Sequence, residues 1–367
     1  VNTLQRLHAE FGQSPWVDSI DRDMIDSGTL ASLIDDGIRG LTSNPTIFAK
    51  AVAGGWYDDL IRSQHEDGAD ATAIYQAIAV GDIRDAADLL RPVYDAAGGH
   101  DGLASIEVEP ALAADSDATL ARARELWAAV DRPNIFVKIP ATPAGLPAIE
   151  AATADGINVN ITLMFSVDVY REVARAFIAG LRRYRAGGGD VSRVASVASF
   201  FVSRVDTKVD RLLDALGTDA AARARGTAAV ANAQLAYQAY GEIFGGDEFA
   251  DLRAAGARVQ RCLWASTSTK DPTYRDVKYV EALIGPDTVD TMPRETITAM
   301  LDHGELRRTL DDDFGAAAAA IAAVEALGIS MHQVTDELIA EGVAAFGASF
   351  DELLGTIEEK RKALATA

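Results

Sequence analysis

Short apolar runs alternate with helix-patterned stretches along almost the whole of this 367-residue chain. Eight runs have the length of a strand: Pro15–Ile20, Gly40–Thr46, Leu103–Glu109, Asn134–Thr142, Asn158–Ser166, Arg193–Phe201, Arg258–Thr267 and Asp287–Met292. Most are rich in β-branched or aromatic residues and are bounded by Gly, Pro, Asn or Asp. Helical spacing fills the gaps at Thr29–Asp36, Tyr57–Ala97, Asp117–Val130, Pro143–Ala154, Val167–Ala186, Arg204–Phe244 and Pro272–Ile284. A helix between two strands returns the chain to the same sheet edge, so the alternation calls for parallel strands covered by helices. Eight strands in one unbroken series favour a closed (β/α)8 barrel over an open α/β sheet.

Two connections, about 51–102 and 204–256, are long and Ala-rich, which predicts extra helices in place of structureless loops. Gly187-Gly-Gly189 reads as a turn after a helix. No boundary or internal repeat is visible, so residues 1–367 read as one barrel domain, with 293–367 a helical tail docked on it. In that tail Ile339, Val343, Phe346, Phe350, Leu353 and Ile357 recur at three- and four-residue steps. Burial against the barrel is the favoured use of this stripe, with a dimer contact the competing one. Ser349 and Glu352 have the spacing of a capping box, which predicts a bend near Phe350.

Charge and cysteine use narrow the function. A net charge of -21 repels nucleic acid and anionic membranes, so neither is expected as a partner. The single Cys262 rules out an internal disulfide or a cysteine metal cluster. His8, His65, His100, His303 and His332 show no metal-ligand spacing, so neither metal nor cofactor is expected. No signal-like segment and no run of eighteen apolar residues is seen, which predicts a cytoplasmic protein, monomer or homodimer.

The chemistry centres on Lys138, inside the apolar run Asn134–Thr142. An ammonium there either finds a carboxylate, loses its proton, or reaches solvent from the strand end. A lysine held partly neutral attacks carbonyls, the first step of Schiff-base chemistry. Strand alternation groups its companions. Asn134, Phe136 and Lys138 share a face, as do Ser105 and Glu107, Asn158, Asn160 and Thr162, Trp16 and Asp18, and Thr42 and Asn44. Polar groups therefore gather on one side of five successive strands, the lumen of a barrel. Any one of them could be a satisfied internal hydrogen bond. An Asp, a Glu and a Lys converging there instead supply a nucleophile with an acid and a base. Arg204 and Lys270 follow late strands among hydroxyls, where each is either a solvated charge or a phosphate-binding cation.

Five collinear stretches resemble the transaldolase family: Leu41-Thr-Ser-Asn-Pro-Thr-Ile-Phe48, Ser105-Ile-Glu-Val108, Phe136-Val-Lys-Ile-Pro-Ala-Thr142, Asn160-Ile-Thr-Leu-Met-Phe-Ser166 and Ser199-Phe-Phe-Val-Ser-Arg204. The resemblance covers nearly the whole chain and looks like a longer form of that family. It implies a cytoplasmic pentose-phosphate-pathway enzyme acting on sugar phosphates. Lys138 would form the imine, Asp18 take the C4 hydroxyl proton, Glu107 act through a water and Thr162 hold that water. Asn44 and Asn160 would bind donor hydroxyls, Ser199 and Arg204 phosphate, and Phe201 would line the pocket. Relatives that behave as simple aldolases carry tyrosine at the place of Phe201. A second phosphate arginine of shorter relatives is replaced by Ser268, leaving Lys270 as the cation. The implied reaction moves a dihydroxyacetone unit from sedoheptulose 7-phosphate to glyceraldehyde 3-phosphate. The alternatives are an aldolase releasing free dihydroxyacetone and a non-catalytic sugar-phosphate binder.

Overall fold

In the computed structural model, which describes residues 1–365, eight parallel strands close into a barrel in chain order. They are β1 Gln13–Val17, β2 Gly40–Leu41, β3 Leu103–Glu107, β4 Ile135–Pro140, β5 Val159–Met164, β6 Ser196–Phe201, β7 Gln260–Ala265 and β8 Thr288–Met292. Short, polar β8 closes the ring against β1 through five register pairs, from Gln13 opposite Thr288 to Val17 opposite Met292. Residues 366–367, the end of the expected tail, lie outside the described residues.

Several boundaries differ from expectation for local reasons. The second strand stops at Leu41, because Asn44 caps a helix, Pro45–Ala53, that has Pro45 in its first turn. That helix was not foreseen, nor was Thr3–Phe11, which opens on an Asn2–Gln5 capping box. The helix expected over Pro272–Ile284 shrinks to Lys278–Ala282, since Asp271 folds back onto the Thr273 N–H and hydroxyl in a local turn. Both long connections are helical: Asp58–Glu66 and Ala71–Ala96 in one, Ser203–Leu216, Asp219–Ala224 and Ala228–Gly245 in the other.

The tail ends in one helix, Met331–Ala365, that does not bend at Phe350. Ser349 caps nothing there; its hydroxyl accepts a bond from Thr46 at 2.9 Å. Phe346, Phe350, Leu353 and Ile357 are buried, with Phe350 edge-on to Tyr75 at 5.1 Å between centroids. The helix lies along Pro45–Ala53 and Asp58–Glu66 on the C-terminal side of the barrel. Among the described residues no single helix is long and apolar enough to cross a membrane.

The two ends of the lumen are built differently. At its middle Trp16 meets Phe136, 6.0 Å between centroids. Gly40 is required there, because a Cβ would lie 2.4 Å from the Trp16 ring. At the N-terminal end Asp101 is enclosed by cations and donors: Arg39 at 2.8 Å, Arg261 at 3.3 Å, the Ser14 hydroxyl at 2.5 Å and the Trp16 indole at 3.3 Å. Burial alone would raise this carboxyl, but Arg261, Ser14 and Arg39 hold it below its ordinary value. Its contribution to stability is therefore present above the unfolded carboxylate range and is lost as pH falls through the depressed folded value. Replacing Asp101 by Ala leaves two guanidinium groups facing each other. It should cost about 3–5 kcal/mol, read as a lower urea midpoint at neutral pH.

Candidate active site

Register, not proximity in sequence, assembles the site. Glu107 on β3 is the Cα partner of Lys138 on β4, and Lys138 is the partner of Asn160 on β5. Neighbouring parallel strands in register present like faces, so the three side chains share the lumen. Lys138 Nζ lies 3.1 Å from Glu107 Oε2 and donates to the Ser43 carbonyl at 2.9 Å. Both side chains are 6% exposed. Of the fates open to the amine, the structure shows a buried carboxylate partner. The contact meets the distance of an ion pair but is out of line for a hydrogen bond, and among the described residues Glu107 Oε2 has no protein hydrogen-bond partner. Thr162 Oγ1 is likewise buried without one. Two orphaned oxygens of this kind are matched to a water or a substrate oxygen.

Beyond Thr162 the strand is distorted. Leu163 takes a left-handed backbone, φ 58°, and the β5–β6 register slips between Ile161 and Met164. A leucine there is strained, and strain of this type concentrates where side chains must be aimed. Asn160 is fixed from both sides, donating to Ser105 Oγ at 3.1 Å and accepting from Ser199 Oγ at 2.6 Å. Asp18, just past β1, accepts from Thr42 Oγ1 at 2.6 Å, and Thr42 is bonded in turn to Thr291 at 2.7 Å. Asn44 accepts the Ile47 N–H through Oδ1, which leaves its NH2 group facing the cavity.

A cavity of about 340 Å³ collects Asp18, Asn44, Lys138, Thr162, Ser199, Phe201, Arg204 and Lys270, eight of the ten expected residues. Glu107 reaches it through Lys138, and Asn160 through Ser199. Arg204 forms no ion pair among the described residues, in a chain with 55 carboxylate side chains. An unpaired, half-buried guanidinium is a place for an anion. Lys270 is exposed and donates to Ser268 Oγ at 2.8 Å. Ser199 gives its hydrogen to Asn160, so toward an anion its hydroxyl is already committed as a donor.

Two polar residues expected on the lumen face do not line the cavity. Asn134 donates to the Ala87 and Gly102 carbonyls, and Asn158 clips the Pro133 and Ile135 carbonyls to the Ala195 N–H. Both lie before their strands begin, where alternation no longer applies. Sequence reasoning also passed over Lys50 and the Ser43 carbonyl, and it put Thr42 on the lumen face without giving it a role beside Asp18. Lys50 and Ile47, three apart on the helix Pro45–Ala53, both line the cavity. The Asn-Pro helix start would have revealed that face.

Burial pushes the Glu107 carboxyl above its ordinary value, against the opposing pull of Lys138. It raises Asp18 as well, partly offset by the Thr42 hydroxyl, Lys138 and Arg204. Two carboxyls raised toward neutrality flank one amine, an arrangement suited to moving protons during imine chemistry. Fold and site together define a lysine-dependent barrel enzyme of the Schiff-base aldol class. The sequence model described as Transaldolase/Fructose-6-phosphate aldolase matches residues 15–357, and this chain belongs to that family. It is 49% identical over 357 residues to Transaldolase 1 of Streptomyces coelicolor, covering 96% of this chain and 93% of that protein. Transaldolase of Thermobifida fusca is 49% identical over 360 residues, covering 97% and 98%. Transaldolase of Acidothermus cellulolyticus is 50% identical over 349 residues, covering 94% of each.

The Thr42 hydroxyl favours the charged form of Asp18, so its removal raises that carboxyl further. Thr42→Val should therefore move the acid limb of the kcat/KM profile to higher pH and leave the alkaline limb in place.

Proposed function

We propose that this chain is a transaldolase moving a dihydroxyacetone unit from sedoheptulose 7-phosphate to glyceraldehyde 3-phosphate, giving erythrose 4-phosphate and fructose 6-phosphate. The observation that carries the reading is the buried Lys138–Glu107 pair opening on the same cavity as the unpaired Arg204. Proton transfer within the pair frees the amine to attack the ketose C2 carbonyl. Glu107, through a water held by Thr162, protonates the leaving hydroxyl as the carbinolamine becomes the iminium. Asp18 takes the C4 hydroxyl proton, the C3–C4 bond breaks toward the iminium, and the aldose phosphate leaves. The three-carbon enamine stays on Lys138 until an acceptor aldehyde arrives. Its carbon then attacks the aldehyde, Asp18 returns the proton to the new alkoxide, and water releases the product ketose.

Arg204 anchors the phosphate, assisted at the rim by the flexible Lys50 and Lys270 in place of a second arginine. Asn44 and the Ser105–Asn160–Ser199 chain orient the donor hydroxyls. The steric and polar shielding of the enamine distinguishes transfer from simple cleavage.

Borohydride reduction in the presence of fructose 6-phosphate should attach a three-carbon adduct at Lys138, identified by peptide mass spectrometry. An adduct on another lysine would refute the assignment. Glu107→Gln should still trap ketose but lower kcat by about 10²–10⁴-fold. Release of free dihydroxyacetone without acceptor, at a rate matching transfer, would favour the aldolase alternative.

A further inference from the structure

The stripe residue Phe346 does more than dock the C-terminal helix. The Arg204 guanidinium carbon lies 5.3 Å from the centroid of the Phe201 ring and 5.9 Å from that of the Phe346 ring. Both rings are buried and both line the catalytic cavity. Phe201 is itself backed by Phe165, 5.3 Å between centroids. Phe346 is held by its helix, which is tied to the helix Ser203–Leu216 directly behind Arg204. Lys208, one turn after Arg204, reaches Glu337 at 2.7 Å and Glu341 at 2.5 Å. One turn before Phe346, Gly342 sits over the end of β5, where a Cβ would lie 2.9 Å from Leu163 Cδ2, and it is in ordinary contact range of Arg204 Nη1 at 3.8 Å.

An aromatic ring face is attracted to a guanidinium but, unlike a carboxylate, does not occupy its in-plane N–H donors in charge-assisted hydrogen bonds. The faces attract the cation without neutralising it. From this arrangement, and resting on the reading of Arg204 as the phosphate anchor, we propose that Phe346 is a positioning residue that sets specificity for phosphorylated sugars. It holds Arg204 against Phe201, with the donor edge turned to the cavity for a bidentate oxyanion. The C-terminal helix is therefore part of the substrate site, and the aromatic ring on it offsets the absence of a second arginine.

The test compares erythrose 4-phosphate with erythrose as acceptors, fructose 6-phosphate being the donor, and reads the ratio of their kcat/KM values. Phe346→Leu keeps an apolar side chain at the position, so the helix still docks, but it removes the ring face. It should lower the ratio by about three- to tenfold, through KM for the phosphorylated acceptor with kcat little changed. Phe346→Tyr should keep the ratio near that of the parent. Arg204→Ala should collapse the ratio, and adding Phe346→Leu to it should change the ratio no further. If Arg204→Ala collapses the ratio while Phe346→Leu lowers both acceptors equally, the positioning role is overturned and the phosphate reading stands. If Arg204→Ala leaves the ratio intact, the phosphate reading itself fails, and the role of Phe346 with it.

Discussion

The contact between Lys138 and Glu107 is the constraint around which the barrel is arranged. Taking an ammonium and a carboxylate out of water costs several kcal/mol per ion, recovered only where the geometry is good and other partners are supplied. Here the geometry comes from strand register, since the two residues are direct partners on β3 and β4. The third partner, the Ser43 carbonyl, comes from the turn after β2. A slip of one residue between β3 and β4 would send one member of the pair to the helix side. An apolar pair of the same size would suit stability at least as well, so the charges point to function and not to support.

The opposite end of the lumen supplies the contrast. Asp101 is also a buried carboxylate among cations, but its oxygens are engaged by Arg39, Arg261, Ser14 and Trp16. At the C-terminal end Glu107 Oε2, Thr162 Oγ1 and the Arg204 guanidinium lack such partners among the described residues. The same residue types therefore act as a structural lock around Asp101, both of whose oxygens are engaged, and as a reactive site where Glu107 Oε2 is left open. The open oxygens of Glu107 and Thr162 bear on chemistry because they lie at the end where the loops enter and substrate arrives.

Much of this was legible in the chain before any coordinates. The alternation of apolar runs and helices located all eight strands, and parity within β3, β4 and β5 brought Glu107, Lys138, Asn160 and Thr162 to one face. Parity said less where the strand had not begun, as at Asn134 and Asn158, whose amides are spent on backbone carbonyls and which do not line the cavity. No sequence pattern marks the positive φ at Leu163 or the register shift between Ile161 and Met164. The Ser349 spacing matched a cap but sits in the middle of a continuous helix, where tertiary burial of Phe346, Phe350 and Leu353 outweighs a local preference. The role of Thr42 beside Asp18, and the place of Lys50, were missed for a different reason. Their roles depend on which loop crosses the barrel mouth, and that is information about distance in space.

Arg204 raises a question of charge that the fold answers through exclusion. The chain carries 55 acidic side chains against 34 lysines and arginines, so an arginine left to itself would find a carboxylate. A carboxylate partner would cancel the field that a phosphate must feel. Two aromatic rings, Phe201 and Phe346, take up space beside the guanidinium that a carboxylate would otherwise occupy, and Asp18, which lines the same cavity, forms no ion pair with it. Lys208, one turn after Arg204, pairs with Glu337 and Glu341 of the C-terminal helix. An acidic protein can thus hold an anionic substrate on one cation that forms no ion pair among the described residues, with Lys50 and Lys270 on the same cavity.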